Sequence, residues 1–284
     1  MNLNIGGVPE HFNFPFHHSI IEAADKKLGI KLNWTNYPGG TGAMCTALRE
    51  NTLDIAIVLT EGIIADISKG NPSKIMQWYV ESPLIWGIHV SHDSEIRSEN
   101  DFENKKYAIS RPGSGSHLMA YVDANKRGLD INESNFVVVG NLNGAIEALT
   151  NHEADLFFWE KFTTKPYVDN QKLRFIAECP TPWPCFAIAV TDKAYHLHKT
   201  EIDSLIQLII DINKDFKHIP NIEQLIASHS NLNKEDVEIW LKTVKWKSNN
   251  EPINASIIQD VIQTLQKLNI IQTNINASAV LPLR

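Results

Sequence analysis

Ile109-Ser110-Arg111-Pro112-Gly113-Ser114-Gly115-Ser116-His117 joins two kinds of local pattern. Upstream, Tyr107-Ala108-Ile109 is apolar and strand-like, and from Leu118 onward a helix pattern follows. A turn of small polar residues at such a junction delivers backbone N–H groups to a helix N-terminus. There the unsatisfied donors and the macrodipole together favour an anion or a dipolar ligand. A second turn of the same kind runs Tyr37-Pro38-Gly39-Gly40-Thr41-Gly42-Ala43-Met44. The two turns fall in what read as two different lobes, so a ligand held by both is expected.

Working outward, the first half alternates strand and helix patterns at close intervals: strands over 3–8, 30–37 and 54–59, helices over 16–28, 41–51 and 61–69. That spacing predicts right-handed crossovers and a mostly parallel sheet. Two β-like runs, 75–81 and 84–90, meet at Ser82-Pro83, and the α/β rhythm then repeats from Lys106 to Trp159. Cys179-Pro180-Thr181-Pro182-Trp183-Pro184-Cys185 reads as a rigid extended crossing, because its prolines exclude helix. From Thr200 the pattern is helical. The expected class is α/β with two lobes, each a mainly parallel sheet flanked by helices, and two crossover strands as hinge. Lobe 1 would comprise residues 1–90 plus 181–284 with the C-terminal helices, and lobe 2 residues 91–180. An apolar stripe at Leu205, Ile209, Ile212 and Phe216 is expected to pack on lobe 1.

The bulk composition narrows the function classes. A net charge of -7 offers nothing to nucleic acid or to an anionic membrane, and no apolar run reaches the length of a membrane span. Three cysteines are too few for a disulfide framework, and no basic-then-apolar leader precedes Leu3. A cytoplasmic location is therefore expected, with a periplasmic one as the alternative if a leader has been removed. No cofactor is expected: neither turn completes GxGxxG and there is no GxxxxGK[ST]. No metal is expected either, since HExxH and zinc-type Cys/His spacings are missing. Adjacent Ser116 and His117 cannot supply triad geometry, and GxSxG is missing. A small-molecule partner and a monomer or weak dimer fit these limits.

The chain resembles the type II periplasmic-binding-protein-like family, in the branch with nitrate-, sulfonate- and thiamine-pyrimidine-precursor-binding proteins. The resemblance rests on Gly39-Gly40-Thr41-Gly42-Ala43-Met44, Leu53-Asp54-Ile55-Ala56, Thr60-Glu61-Gly62 and Arg111-Pro112-Gly113-Ser114-Gly115-Ser116. Glu147-Ala148-Leu149 followed by Glu153-Ala154-Asp155 adds to it. It covers about residues 3–215. It implies a solute-binding protein that closes by hinge bending on an aminopyrimidine- or thiamine-precursor-like molecule, or on a sulfonate or carboxylate. The alternative it implies is an enzyme of the thiamine-pyrimidine synthase type on the same fold. A transporter partner would follow from the resemblance alone; no stretch of the sequence points to one.

The residues expected at the ligand are His11, Phe16, Gly40, Thr41, Gly42, Glu61 and Trp86, with Ser114, Gly115, Ser116, His117, Trp159, Glu160 and Trp183. For each, a plainer role stands beside the functional one. The glycines supply tight turns. The aromatics supply core or rim packing, or stacking on a flat ligand. Glu61 and Glu160 directly follow apolar runs, so each either caps the next helix or accepts hydrogen bonds from an amine or aminopyrimidine. His11 and His117 are solvated or capping residues, or ligand contacts. Removing the hydroxyl of Thr41 or Ser114 is expected to weaken binding and leave the melting temperature almost unchanged.

Overall fold

Leu3 and Ile5 are buried while Asn2 and Asn4 face solvent, the period-two alternation of a strand with one covered face. This strand, β1 (Asn2–Gly7), opens a computed structural model that describes residues 1–282. Two compact units emerge: Met1–Pro83 with Trp183–Arg284, and Leu84–Pro182. Positions 283 and 284, included in the first lobe on sequence grounds, lie outside the described residues.

In the first unit β1 is followed by α1 (Ile21–Leu28), β2 (Lys31–Asn36), α2 (Gly40–Arg49), β3 (Ile55–Leu59), α3 (Thr60–Ile67) and β4 (Ser73–Val80). The second unit starts with β5 (Ile85–Ser91) and then repeats the scheme. Its elements are β6 (Tyr107–Ile109), α4 (Gly115–Arg127), β7 (Phe136–Val138), α5 (Leu142–Thr150), β8 (Leu156–Glu160), α6 (Lys161–Asp169) and β9 (Leu173–Pro180). The chain returns to the first unit with β10 (Phe186–Thr191) and a helical tail.

The sheets have matching orders, β2-β1-β3-β10-β4 and β7-β6-β8-β5-β9. β1 is parallel to β2 and β3, whereas β10 is antiparallel to both β3 and β4. β6 is parallel to β7 and β8, and β5 is antiparallel to β8 and β9. Four strands of each sheet thus share a direction, as the mainly parallel reading expects, and the fourth place is taken by a reversed strand from the other half of the chain.

The tail comprises α7 (Asp192–Leu197), α8 (Lys199–Asp215), α9 (Ile222–Ser230), α10 (Lys234–Thr243), α11 (Ala255–Lys267) and α12 (Ala277–Val280). Leu205, Ile209 and Phe216 are buried within it, the face that the apolar stripe predicts. The first crossing is tied to this tail: Glu81 N–H donates to Lys245 O at 2.7 Å, and the buried Lys247 Nζ donates to Glu81 Oε1 at 2.8 Å. The second crossing rests on the start of α3, where Thr60 N–H donates to Cys185 O at 3.0 Å.

α6 runs through Pro166, and Glu160 caps its first turn. The helix expected from Phe16 begins with a π-helical turn, Phe16–Ile20.

Close backbone approach at the start of α5 sets a test of this fold. A Cβ on Gly144 would sit 2.1 Å from Val139 O, a backbone atom that cannot rotate away. Gly144→Ala is expected to destabilise the second unit by roughly 1–3 kcal/mol, as overpacking does, read as a lower melting temperature.

Candidate functional site

Parallel strands deliver the residues that follow them to one edge of the sheet, and in open α/β sheets ligands bind at this carboxyl edge. In the first unit His11 follows β1, Gly40, Thr41 and Gly42 open α2 after β2, and Glu61 follows β3. β10 runs the other way, with Phe186 opposite Leu59, so Trp183 enters from the same edge. In the second unit Ser114, Gly115, Ser116 and His117 follow β6, and Glu160 closes β8. Trp86, near the start of reversed β5, lies directly opposite Glu160. Strand direction thus gathers the expected residues at two carboxyl edges, one in each unit.

At the edge of the second unit Ser114 is the N-cap of α4. Its Oγ accepts from His117 N–H at 3.4 Å and shares a 3.0 Å hydrogen bond with Ser116 Oγ. Ser116 Oγ in turn accepts from Ser110 N–H at 3.1 Å, tying the turn to the end of β6. Gly113 has φ 76°, which a side chain rarely adopts, and its N–H donates to His117 Nδ1 at 2.9 Å. That bond places the proton of the neutral ring on Nε2. Burial holds His117 below the usual histidine pKa, so the neutral form is favoured. Nε2 is buried without a hydrogen-bond partner among the described residues.

In the first unit Gly40 takes φ 68° where the chain turns into α2. Thr41 Oγ1 accepts from Leu59 N–H at 3.0 Å, so the hydroxyl satisfies an amide at the start of α3. Its methyl lies where a Cβ on Gly62 would be, 2.5 Å away. Thr41 is therefore a joint between α2 and α3, which corrects the expectation that losing its hydroxyl leaves stability unchanged. Ser114 is corrected on the same ground, because it caps α4.

The two glutamates part ways. Glu160 is the N-cap of α6, its Oε2 accepting from Thr163 N–H at 2.7 Å and Thr163 Oγ1 at 2.8 Å. Glu61 instead has its Oε2 accept from the Trp183 indole N–H at 2.8 Å, while Oε1 is buried without a hydrogen-bond partner among the described residues. Burial pushes both carboxyls up to about 7, over the hydrogen bonds that favour their ionised forms.

Other expected residues divide between edge and core. Trp86 is buried, and its Nε1 has no hydrogen-bond partner among the described residues. Trp159 lies opposite Gly87, so it points to the sheet face opposite Glu160, stacked 5.3 Å from Phe157. Phe16 is fully enclosed between Trp34 at 4.8 Å and Tyr79 at 5.4 Å; it is a core residue, which corrects its place among the ligand contacts. His11 is buried edge-on to Trp240 at 4.2 Å, and desolvation lowers its pKa to about 3, so it is neutral. The sequence reading missed Asn13, whose Nδ2 donates to Val8 O at 2.8 Å while Oδ1 is buried without a partner among the described residues. Its only signal is a lone amide in an aromatic run. Among the described residues no group of three or more His, Cys, Asp or Glu is arranged for a metal ion, and no helix is long and apolar enough to cross a membrane.

This architecture, with a reversed strand in each of two α/β units, is the generic periplasmic-binding-protein fold. The family model described as Ca3427-like PBP matches residues 86–179. The Candida albicans CA3427 gene product, reported to define a family with the generic periplasmic binding protein fold, is 26% identical with a TM-score of 0.89, over 99% of this chain and 96% of that one. The alkanesulfonate-binding protein SsuA from Xanthomonas axonopodis pv. citri, solved bound to MOPS, is 14% identical with a TM-score of 0.83, over 99% and 98% of the two chains. The periplasmic aliphatic sulphonate binding protein SsuA from Escherichia coli is also 14% identical, with a TM-score of 0.77 over 99% and 97%. No curated protein sequence matches the chain.

Two outcomes test this geometry. Thr41→Ala is expected to cost about 1–3 kcal/mol by leaving the Leu59 amide unpaired, whereas Thr41→Ser keeps the acceptor and loses less; urea melts of both variants separate the cases. Glu61 has a folded pKa of about 7 against an ordinary 4.5, so the folded state holds the proton more tightly than the unfolded one. Its contribution to stability is full below about pH 4.5, falls as the pH rises to about 7, and is flat above. Glu61→Gln removes that titration. Relative to the parent, the variant should gain on the order of 2–3 kcal/mol between pH 5 and pH 8, read from denaturant melts at the two values.

Proposed function

We propose that the protein is a solute-binding protein that captures one small organic molecule with contacts from both units and hinge bending at its two crossings. One observation carries the reading: buried polar atoms without partners among the described residues recur among the carboxyl-edge residues. They are acceptors in the first unit, Glu61 Oε1 and Asn13 Oδ1, and donors in the second, Trp86 Nε1 and His117 Nε2. Leaving such groups unpaired costs about 1–3 kcal/mol each, and a ligand of matching polarity offsets that cost.

The ligand carries hydrogen-bond donors for the first unit and acceptors, neutral or anionic, for the second. The N-terminus of α4, with the first amides of Gly115 and Ser116, favours an oxyanion or a ring nitrogen. Glu61, titrating near neutrality, accepts from an amine or pairs with the amino-nitrogen edge of an aminopyrimidine. Aminopyrimidines, thiamine precursors and amine-bearing sulfonates or carboxylates share this polarity. MOPS, bound to the SsuA relative from Xanthomonas axonopodis pv. citri, joins an amine to a sulfonate.

A thermal-shift panel of aminopyrimidines, thiamine precursors, MOPS, simple alkanesulfonates, small carboxylates and sulfate tests the reading. At a hundredfold excess over Kd a bifunctional ligand stabilises by about 2.7 kcal/mol, enough for a shift of about 5 °C. The shift should shrink in both Glu61→Gln and Trp86→Phe. Equal shifts from plain sulfate, or no shift from any member, would sink the proposal.

A further inference from the structure

Two exposed histidines from distant parts of the first unit meet. His17 lies in the π-helical turn Phe16–Ile20 and His229 in the last turn of α9, with ring centroids 4.9 Å apart and planes inclined by 35°. We propose that His17 and His229 form a two-imidazole site for a borderline divalent cation such as Ni2+, Cu2+ or Zn2+, with water filling the remaining coordination positions.

The spacing fits shared coordination. With metal–nitrogen bonds of about 2.0–2.1 Å, two imidazoles at about 90–110° on one ion have ring centres about 4.5–5.3 Å apart. Aromatic neighbours hold both rings: Trp34 lies edge-on to His17 at 5.1 Å, and Phe14 sits 5.1 Å from His229. His17 also belongs to a π-helical turn, a rare element found frequently at functional sites.

The chemistry is consistent with the spacing. A neutral imidazole presents a ring-nitrogen lone pair to a cation. Imidazole nitrogen suits late first-row divalent metals. His18 is the internal control: its Nδ1 bonds Ser19 Oγ at 2.6 Å, and its ring faces Phe14 and Phe216. Because the protein supplies two ligands, the ion exchanges readily and needs no cavity.

Titrating the full chain with Ni2+ in a buffer free of chelators tests the site by calorimetry and by quenching of Trp34. The expected result is one saturable site, weakened at least tenfold in His17→Ala and in His229→Ala and unchanged in His18→Ala. Paramagnetic broadening of the His17 and His229 imidazole signals before any other histidine gives the same answer without a variant. No saturable binding, or binding that survives loss of both histidines, would overturn the proposal. The carboxyl-edge reading stands or falls separately, since none of its residues is touched.

Discussion

A strand lying between two parallel neighbours and antiparallel to both must begin where they end. β10 meets that condition in the first sheet and β5 in the second. Each comes from the other half of the chain, so the connecting segments around 81–84 and 181–185 are forced to the carboxyl edges. The turns opening α2 and α4 and the ends of β3 and β8 already occupy those edges. Sheet direction alone brings crossings and helix N-termini together, before any specific side chain is considered. The anchors Glu81–Lys247 and Thr60–Cys185 then fix the crossings to the first unit.

The exchange also explains two buried indoles. Trp183 precedes reversed β10 and reaches Glu61 beyond the end of β3; Trp86 starts reversed β5 and lies opposite Glu160 at the end of β8. The positions correspond, but the local chemistry does not. Glu160 is occupied by the Thr163 amide and hydroxyl of its own helix, and the nearby indole N–H has no partner among the described residues. Glu61 takes the indole, and its second carboxyl oxygen has no partner among the described residues. One topology repeated with different capping thus leaves an acceptor in one unit and a donor in the other.

Much of this was legible in the sequence. Strand and helix alternation is a periodicity signal, strongest where Leu3, Ile5 and the run Ile55–Leu59 must be covered, so the α/β class and the glycine turns could be read directly. What failed depends on contacts between distant residues. Phe16 looks like a rim aromatic, and only Trp34 and Tyr79 make it core. The hydroxyl of Thr41 looks free until Leu59 N–H is placed beside it. α6 was hidden by Pro166, since a proline in a helix interior removes a donor and usually argues for a break. The reading that Glu160 caps a helix was available, but nothing local separates it from Glu61; the difference lies in Trp183, far along the chain.

That difference bears on the polarity of the proposed guest. A plain oxyanion is favoured at the α4 N-terminus, where amides and the helix dipole converge. Beside Glu61 an oxyanion would meet an acceptor, and once the carboxyl ionises, a like charge. Burial raises the pKa of Glu61, and its own backbone amide and the Trp183 indole only partly oppose that; a hydrogen-bond donor placed beside it would favour its ionised form. The edge of the first unit therefore favours a hydrogen-bond donor beside Glu61, whereas the edge of the second unit offers donors of its own, Trp86 Nε1 and His117 Nε2.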